Sequence, residues 1–251
     1  MKPKLIVFVV ALLIVAMVPA LAMAKGQAKP EQMGRVRIDA RQPIGPQLDA
    51  QLGVGARGPR SATMVVRDNR VSVRPNAVYA LLNDGFEDGV GNWGFFENGI
   101  SPVGWDATDY MAKRGQYSLY SAGYNNDPFV NPYYDNDMES WAYTTMDLQG
   151  ARRAQVRFQF KSDTEFFWDA FFFCGSADGG FTFDCYYHTG STNDKWRLVQ
   201  LDSRTDPVLA GMLDSPDAIF AFVFVSDFSI VDRGTFVDAL RIRVWGPSPI
   251  N

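Results

Sequence analysis

Histidine is nearly absent from this 251-residue chain, with His188 alone, and cysteine is limited to Cys174 and Cys185. A zinc protease needs HExxH, two imidazoles one helical turn apart with a glutamate as base, and a single histidine excludes it. A Ser-His-Asp site would have to use His188 in YYHTGST, and the chain contains no GxSxG elbow. His188 reads instead as a surface residue near a hairpin end. CxxC and the phosphate loop GxxxxGK[ST] are missing too, and GVGNWG, though glycine-rich, has no helix pattern behind it. Long apolar runs are lacking beyond the N-terminus. AIFAFVFV is only strand length, so no later segment reads as a membrane span.

The N-terminus does carry such a run. Lys2 and Lys4 precede an unbroken apolar stretch from Leu5 to Val18, and Ala22-Met23-Ala24 matches a small-x-small cleavage site. The run is shorter than the ~18–20 residues of a spanning helix, so residues 1–24 read as a signal peptide and the protein as secreted, extracellular or at the cell surface. Cys174 and Cys185 then sit in a compartment that permits disulfides, flanking GSADGGFTFD with its hairpin signal Asp178-Gly179-Gly180. A cross-strand bridge and two buried thiols both fit that placement.

The formal charge of −4 hides an asymmetry. Residues 25–78 hold ten Lys/Arg against four Asp/Glu, whereas 79–251 hold twelve against twenty-four. An acidic domain argues against nucleic acid and for cations. Residues 25–78, exemplified by QPIGPQLDAQLGVGARGPRS, read as a basic, largely disordered linker, with a short hairpin over TMVVRDNRVSV as one possible exception. As a tail it is either a spacer or an electrostatic tether to an anionic partner.

Residues 79–246 change character, and 247–251 read as a tail. Short apolar or alternating runs follow at regular spacing: VYALL, WGFF, WDATDYM, YSLYSA, SWAYTTMDL, AQVRFQFK, FFWDAFFFCG, FTFDCYY, WRLVQLD, AIFAFVFVS and TFVDALRIRV. In AQVRFQFK, Val156, Phe158 and Phe160 face in while Arg157, Gln159 and Lys161 face out; AIFAFVFV is apolar on both faces, as in a central strand. The pattern predicts an all-β, two-sheet antiparallel jelly-roll sandwich. Two acids stand out. Simple alternation through GTFVDALRIRV puts Asp238 on the apolar face with Phe236, Leu240, Ile242 and Val244, opposite Arg241 and Arg243, where an unpaired carboxylate would be costly. Asp169, in FFWDAFFFC, shares a face with Phe167, Phe171 and Phe173. It is either a polar anchor for ligand or a hydrogen-bonded core aspartate that orders a loop through Ser226-Asp227.

The order NDGFEDGVGNWGFF, RGQYSLYS, FQFKSDTEFFWDAFFFCGSADGGFTF, KWRLVQLD, FAFVFVSDFS and GTFVDALRIRV resembles the jelly-roll accessory domain of immune-inhibitor-A-type secreted metalloproteases. It is also similar to MAM domains and to calcium-containing carbohydrate-binding modules, over roughly residues 81–245. The resemblance implies a structural calcium ion, with sodium fitting nearly as well, held by carboxylates of Glu87 in GFE and Asp238 in VDAL. Backbone carbonyls of Gly85, Asp238 and a residue of the turn 113–116 (Lys113, Gln116) would complete the shell. A hard cation with six to eight oxygen ligands would neutralise Asp238, for which the alternative is an arginine partner or a strand-edge position open to water.

Non-catalytic binding is the functional expectation. Candidate ligand residues are Tyr133, Tyr134, Asp135, Trp141 and Asp169, with rings to stack on sugars and Asp or Asn to bind hydroxyls, in and around the long loop YNNDPFVNPYYDNDMES. The partner is then an extracellular glycan or, in the second reading, a surface protein bound by a MAM-like adhesion domain; a structural envelope component is the third. Carboxylate-only hydrolysis has candidates in Asp135, Asp137 and Glu139 and in Asp163 with Glu165. Acidic loop residues are ordinarily solvated surface, and the chain does not read as an enzyme.

Overall fold

The computed structural model describes residues 29–40, 42, 47 and 77–246. The signal peptide at 1–24, the hairpin expected over TMVVRDNRVSV and the tail at 247–251 lie outside those residues. Twelve strands and one short helix follow in order: β1 (Glu31–Asp39), β2 (Ala77–Asp84), β3 (Gly94–Glu97), β4 (Gly104–Thr108), β5 (Ser118–Tyr124), β6 (Glu139–Met146), β7 (Arg153–Asp163), β8 (Ala170–Ser176), β9 (Thr182–Gly190), β10 (Arg197–Asp202), α1 (Pro207–Met212), β11 (Ala218–Val225) and β12 (Gly234–Gly246). They form two six-stranded antiparallel sheets, ordered β1-β9-β8-β11-β6-β3 and β10-β7-β12-β5-β4, with β2 pairing β12. This is the jelly-roll sandwich that the strand pattern predicts.

Aromatic side chains fill the space between the sheets. Phe158 of β7 meets Phe173 and Phe222 edge-on at 5.2 and 5.0 Å, and Trp93 stacks on Phe222 at 5.4 Å. Such ring pairs add to simple area burial because edge and face carry opposite partial charge. AIFAFVFV is buried at every position, its even-numbered phenylalanines in this core and Ile219, Ala221, Val223 and Val225 on the outer face of the first sheet. At that sheet's two edges, Tyr187 lies over Gly34 and Tyr143 over Gly94. A Cβ on either glycine would come within 2.4 Å of the ring, so any other residue would have to displace the tyrosine.

β1 corrects the linker expectation for 25–78. It pairs with β9 along all nine residues, because RVRID alternates: Val36 and Ile38 are buried while Arg35 and Arg37 face solvent. A domain boundary at 79 would remove this edge strand. The helix α1 was not anticipated either. Its signal is local: Asp206 accepts from Leu209 N as N-cap, Pro207 opens the first turn, and Val208, Leu209 and Met212 are buried. Cys174 and Cys185 face each other across β8 and β9 and form the disulfide, buried on the outer face of the first sheet.

Candidate functional site

A bulge in the closing strand explains Asp238. Asp238 pairs with Gln159, but Arg241 pairs with Arg157, so β12 uses one more residue than β7 over the same span. The extra residue is Ala239, with φ of 54°. One inserted residue flips every side chain beyond it to the other face. Asp238 therefore shares the outward face with Gln159 rather than the core face with Leu240, which corrects the simple alternation. Phe236 changes face with it and stacks on Tyr120 at 4.3 Å.

The structure brings Asp238, Glu87, Gly85 and the turn 113–116 together. Asp238 Oδ2 accepts from Lys113 N (2.6 Å) and Arg114 N (2.7 Å), and Oδ1 accepts from Ala239 N. Glu87 accepts from Gln116 N at 3.0 Å and Tyr117 N at 3.1 Å. Gly115 bends this turn at φ of 66°, and a Cβ there would lie 2.0 Å from Glu87 Oε1. The turn thus presents amide N–H groups to the two carboxylates, whereas the resemblance implies a carbonyl from Lys113 or Gln116 turned to a cation. The Asp238 carboxyl is pushed up, first by burial and further by Glu87, against the lowering effect of the three amides. Each carboxylate keeps lone pairs that these amides do not use, and the donor set of two carboxylates beside a glycine with no side chain fits a hard cation.

A second acidic group lies at the end of the sandwich where the loops 98–103, 125–138, 164–169 and 226–233 converge. Glu165, Asp169 and Asp227 bring carboxylate oxygens within 4.8 Å of one another, an arrangement that could hold a metal ion. Asp169 is fully buried. It accepts from Asp227 N at 2.6 Å and from the Tyr134 hydroxyl at 2.5 Å, and that hydroxyl accepts from Glu165 N at 3.1 Å. This is the loop-ordering aspartate, working through Asp227, that was one of the two sequence readings of Asp169. The expected strand FFWDAFFFCG starts only at Ala170, because Phe167 turns the chain at φ of 72°. Burial, with the charges of Asp227 and Asp232, raises the Glu165 carboxyl to about 7, and its Oε2 is buried without a hydrogen-bond partner.

The same network fixes what the loops display. Tyr134 N donates to Asp232 O, Asp137 N to Asp227 O and Ile100 N to Asp137 O, while Ser226 Oγ donates to Asp135 O. From this frame Ile100, Phe129, Val130 and Tyr133 project into solvent, joined by Phe167, Trp168, Phe228 and Ile230. Of the five expected ligand residues, Tyr133 is exposed and Asp135 half-buried, its Oδ2 accepting from Ser101 Oγ. Tyr134, Trp141 and Asp169 are buried, so neither ring offers a face to a sugar; this corrects their assignment to a binding surface. Trp141 instead reaches across the outer face of the first sheet to Phe183, ring centroids 5.1 Å apart. His188 also departs from expectation. It is a fully buried residue of β9, edge-on to Phe160, with both ring nitrogens unpartnered and its pKa lowered to about 4 by burial.

No protein-family model and no curated protein matches this chain. Solved structures similar to it include carbohydrate-binding modules and adhesin domains. The K3 cleaved adhesin domain of Lys-gingipain from Porphyromonas gingivalis W83 aligns with a TM-score of 0.48 at 12% identity, covering 65% of this chain and 98% of that one. TmCBM61, solved in complex with β-1,4-galactotriose, aligns at 0.43 and 12%, covering 63% and 92%. The family 11 carbohydrate-binding module of Clostridium thermocellum Lic26A-Cel5E aligns at 0.41 and 16%, covering 68% and 95%. At these identities and TM-scores the likenesses assign no site and no ligand. The finer resemblance to immune-inhibitor-A accessory domains and MAM domains rests on the quoted motifs alone.

Proposed function

We propose that this chain is a secreted, non-catalytic binding module that recognises extracellular glycan through the loop end of its sandwich. The observation that carries this reading is the display of large rings on loops locked by buried hydrogen bonds. Tyr133 and Trp168 are 46% and 42% exposed. The amide oxygen of Asn126, whose NH2 group donates to Asn131 O and Tyr133 O, and the carboxylate of Asp127 stand on the same loop as Tyr133. Rings held rigidly cost little further entropy on binding, and neighbouring amides and carboxylates supply partners for hydroxyls. The expected result is retention of the full chain on a polysaccharide in affinity electrophoresis, weakened about tenfold or more by Tyr133→Ala with Trp168→Ala at unchanged melting temperature. Retention that ignores both substitutions would overturn the loop-end assignment.

The same proposal includes a structural calcium ion, with sodium able to use the same donors. Glu87, Asp238 and Gly85 are its assigned holders, and Glu165, Asp169 and Asp227 form the other carboxylate group suited to a cation. Bound at the first place, the ion would relieve the repulsion between Glu87 and Asp238 and tie the opening of the sandwich to its closing strand. Chelation should then lower the melting temperature, and Asp238→Ala should do the same while abolishing the chelator effect. A chelator effect that survives Asp238→Ala and vanishes with Glu165→Gln would move the ion to the loop end. The adhesion reading is favoured by one observation, the exposed aliphatic Ile100, Val130 and Ile230 among the rings. Self-association without polysaccharide retention would select it.

A further inference from the structure

The outer face of the second sheet carries three arginines that no described carboxylate pairs. Arg157 of β7 and Arg241 of β12 are directly registered across the pair, and Arg243 follows two residues on, on the same face opposite Gln155. All three are exposed, and none makes an ion pair with a described carboxylate. The polar contact of Arg241 is with Asn83 Oδ1, at 3.0 Å. Like charges placed opposite each other on a sheet destabilise it. Elsewhere this protein pairs its arginines closely: Arg153 and Arg204 with Asp202, and Arg233 with Asp163 and Asp194.

The arginines line two adjoining clefts. One, of 250 Å³, runs from Gly85 and Glu87 past Arg114 to Arg157, Gln159 and Arg241; the other, of 140 Å³, is lined by Gln155, Val156, Arg157, Gln200, Arg241 and Arg243. Among the described residues lining the second there is no carboxylate. In the first, Glu87 and Asp238 are already engaged by main-chain N–H groups and Asp84 by Phe86 N and Trp93 Nε1. Guanidinium forks in a row, flanked by glutamine amides, suit a ligand with repeated anionic groups and hydroxyls between them. Among the described residues no aromatic ring lines either cleft, so they offer no platform for stacked bases.

We propose that this face binds an acidic polysaccharide, a polymer bearing carboxylate or sulfate groups, at a site separate from the loop end. The proposal shares only the polymer class with the glycan reading above. The test is affinity electrophoresis of the full chain against polygalacturonate, dextran sulfate, unmodified dextran and duplex DNA. We expect retention by one or both anionic polysaccharides, which tells carboxylate from sulfate, and none by dextran at this face. Retention should weaken as salt rises. Replacing Arg157, Arg241 and Arg243 together by glutamine should weaken it about tenfold or more without lowering the melting temperature, and Arg243→Gln alone should cause a partial loss. Tyr133→Ala with Trp168→Ala should leave it unchanged. Absence of retention by both anionic polymers, or retention indifferent to the triple substitution, would overturn the proposal. Tighter binding of DNA than of either polysaccharide would overturn the ligand class. A loss confined to the Tyr133 and Trp168 variant would leave the loop-end reading standing and remove this one.

Discussion

The two outer faces of the sandwich are built by opposite rules. On the first sheet the outward residues of β8 and β11, Phe172, Cys174, Ile219, Ala221, Val223 and Val225, are all fully buried. On the second, the outward residues of β7, β10 and β12 include Gln155, Arg157, Gln159, Gln200, Arg241 and Arg243, with clefts between them, while Phe236 and Asp238 ahead of the bulge are buried. Both sheets face the same aromatic core. The difference therefore lies in the second period-2 set of each strand, which is apolar in AIFAFVFV and polar in AQVRFQFK. A sheet whose residues are buried on both faces gains stability from both; a face of exposed arginines with no ion pair among the described residues gains little and suits recognition.

The sharpest way to break that comparison is to truncate one residue on each face. Phe172→Ala should destabilise the protein by about 3–5 kcal/mol through lost burial and the cavity left behind. Arg243→Ala should stay within about 0.5 kcal/mol. Urea unfolding of both variants measures the contrast, and equal effects would show that the two faces are alike. The disulfide belongs to the buried face as well. Cys174→Ser with Cys185→Ser should lower stability by about 2–3 kcal/mol, mainly by releasing the short loop in the unfolded chain.

His188 tests the edge where β1 and β10 close over the core. Burial holds its pKa down to about 4, with Arg197 lowering it and Glu31 raising it. Between pH 6.5 and 4 the unfolded chain takes up a proton that the native imidazole does not, so stability falls as pH falls through that window. The loss should reach on the order of 2–3 kcal/mol by pH 4. His188→Phe should remove that component, leaving a flatter pH profile than the parent. Glu97 and Glu165, raised by burial to about 8 and about 7, act in the opposite sense as pH rises from the ordinary carboxylate range. Only the difference between variant and parent isolates the histidine, and identical profiles would show that it titrates normally.

Alternation made most of the sandwich legible, because a half-buried strand writes its burial into every second residue. The places where reading failed are those where one residue breaks the period. Ala239 offers no glycine or proline to announce a bulge, so Asp238 and Phe236 read onto the wrong faces. Phe167 turns the chain before β8 for the same hidden reason. β1 was missed because only Val36 and Ile38 carry its pattern, within a basic stretch rich in turn residues. The meeting of Glu87 with Asp238 came from the order of motifs, whereas the amides of the turn 113–117 have no side-chain signature. Arg157, Arg241 and Arg243 were legible as outward residues. Their registry, which makes them a group, depends on the bulge and needed the structure.

The smallest expected effect bears most directly on that group. Arg157 and Arg241 sit opposite each other, and neither forms an ion pair with a described carboxylate; a directly opposed like-charge pair opposes folding by about 0.2–1 kcal/mol. Arg241→Gln keeps the length and hydrogen-bonding capacity of the side chain while removing one of the two charges. It should raise stability by a few tenths of a kcal/mol in low salt, and the gain should shrink as added salt screens the pair. Unfolding measured at two ionic strengths reads both quantities. A substitution that instead lowers stability would mean that Arg241 is held by its contact with Asn83 more strongly than it is repelled by Arg157, and the face would then be a structural feature rather than one kept for a ligand.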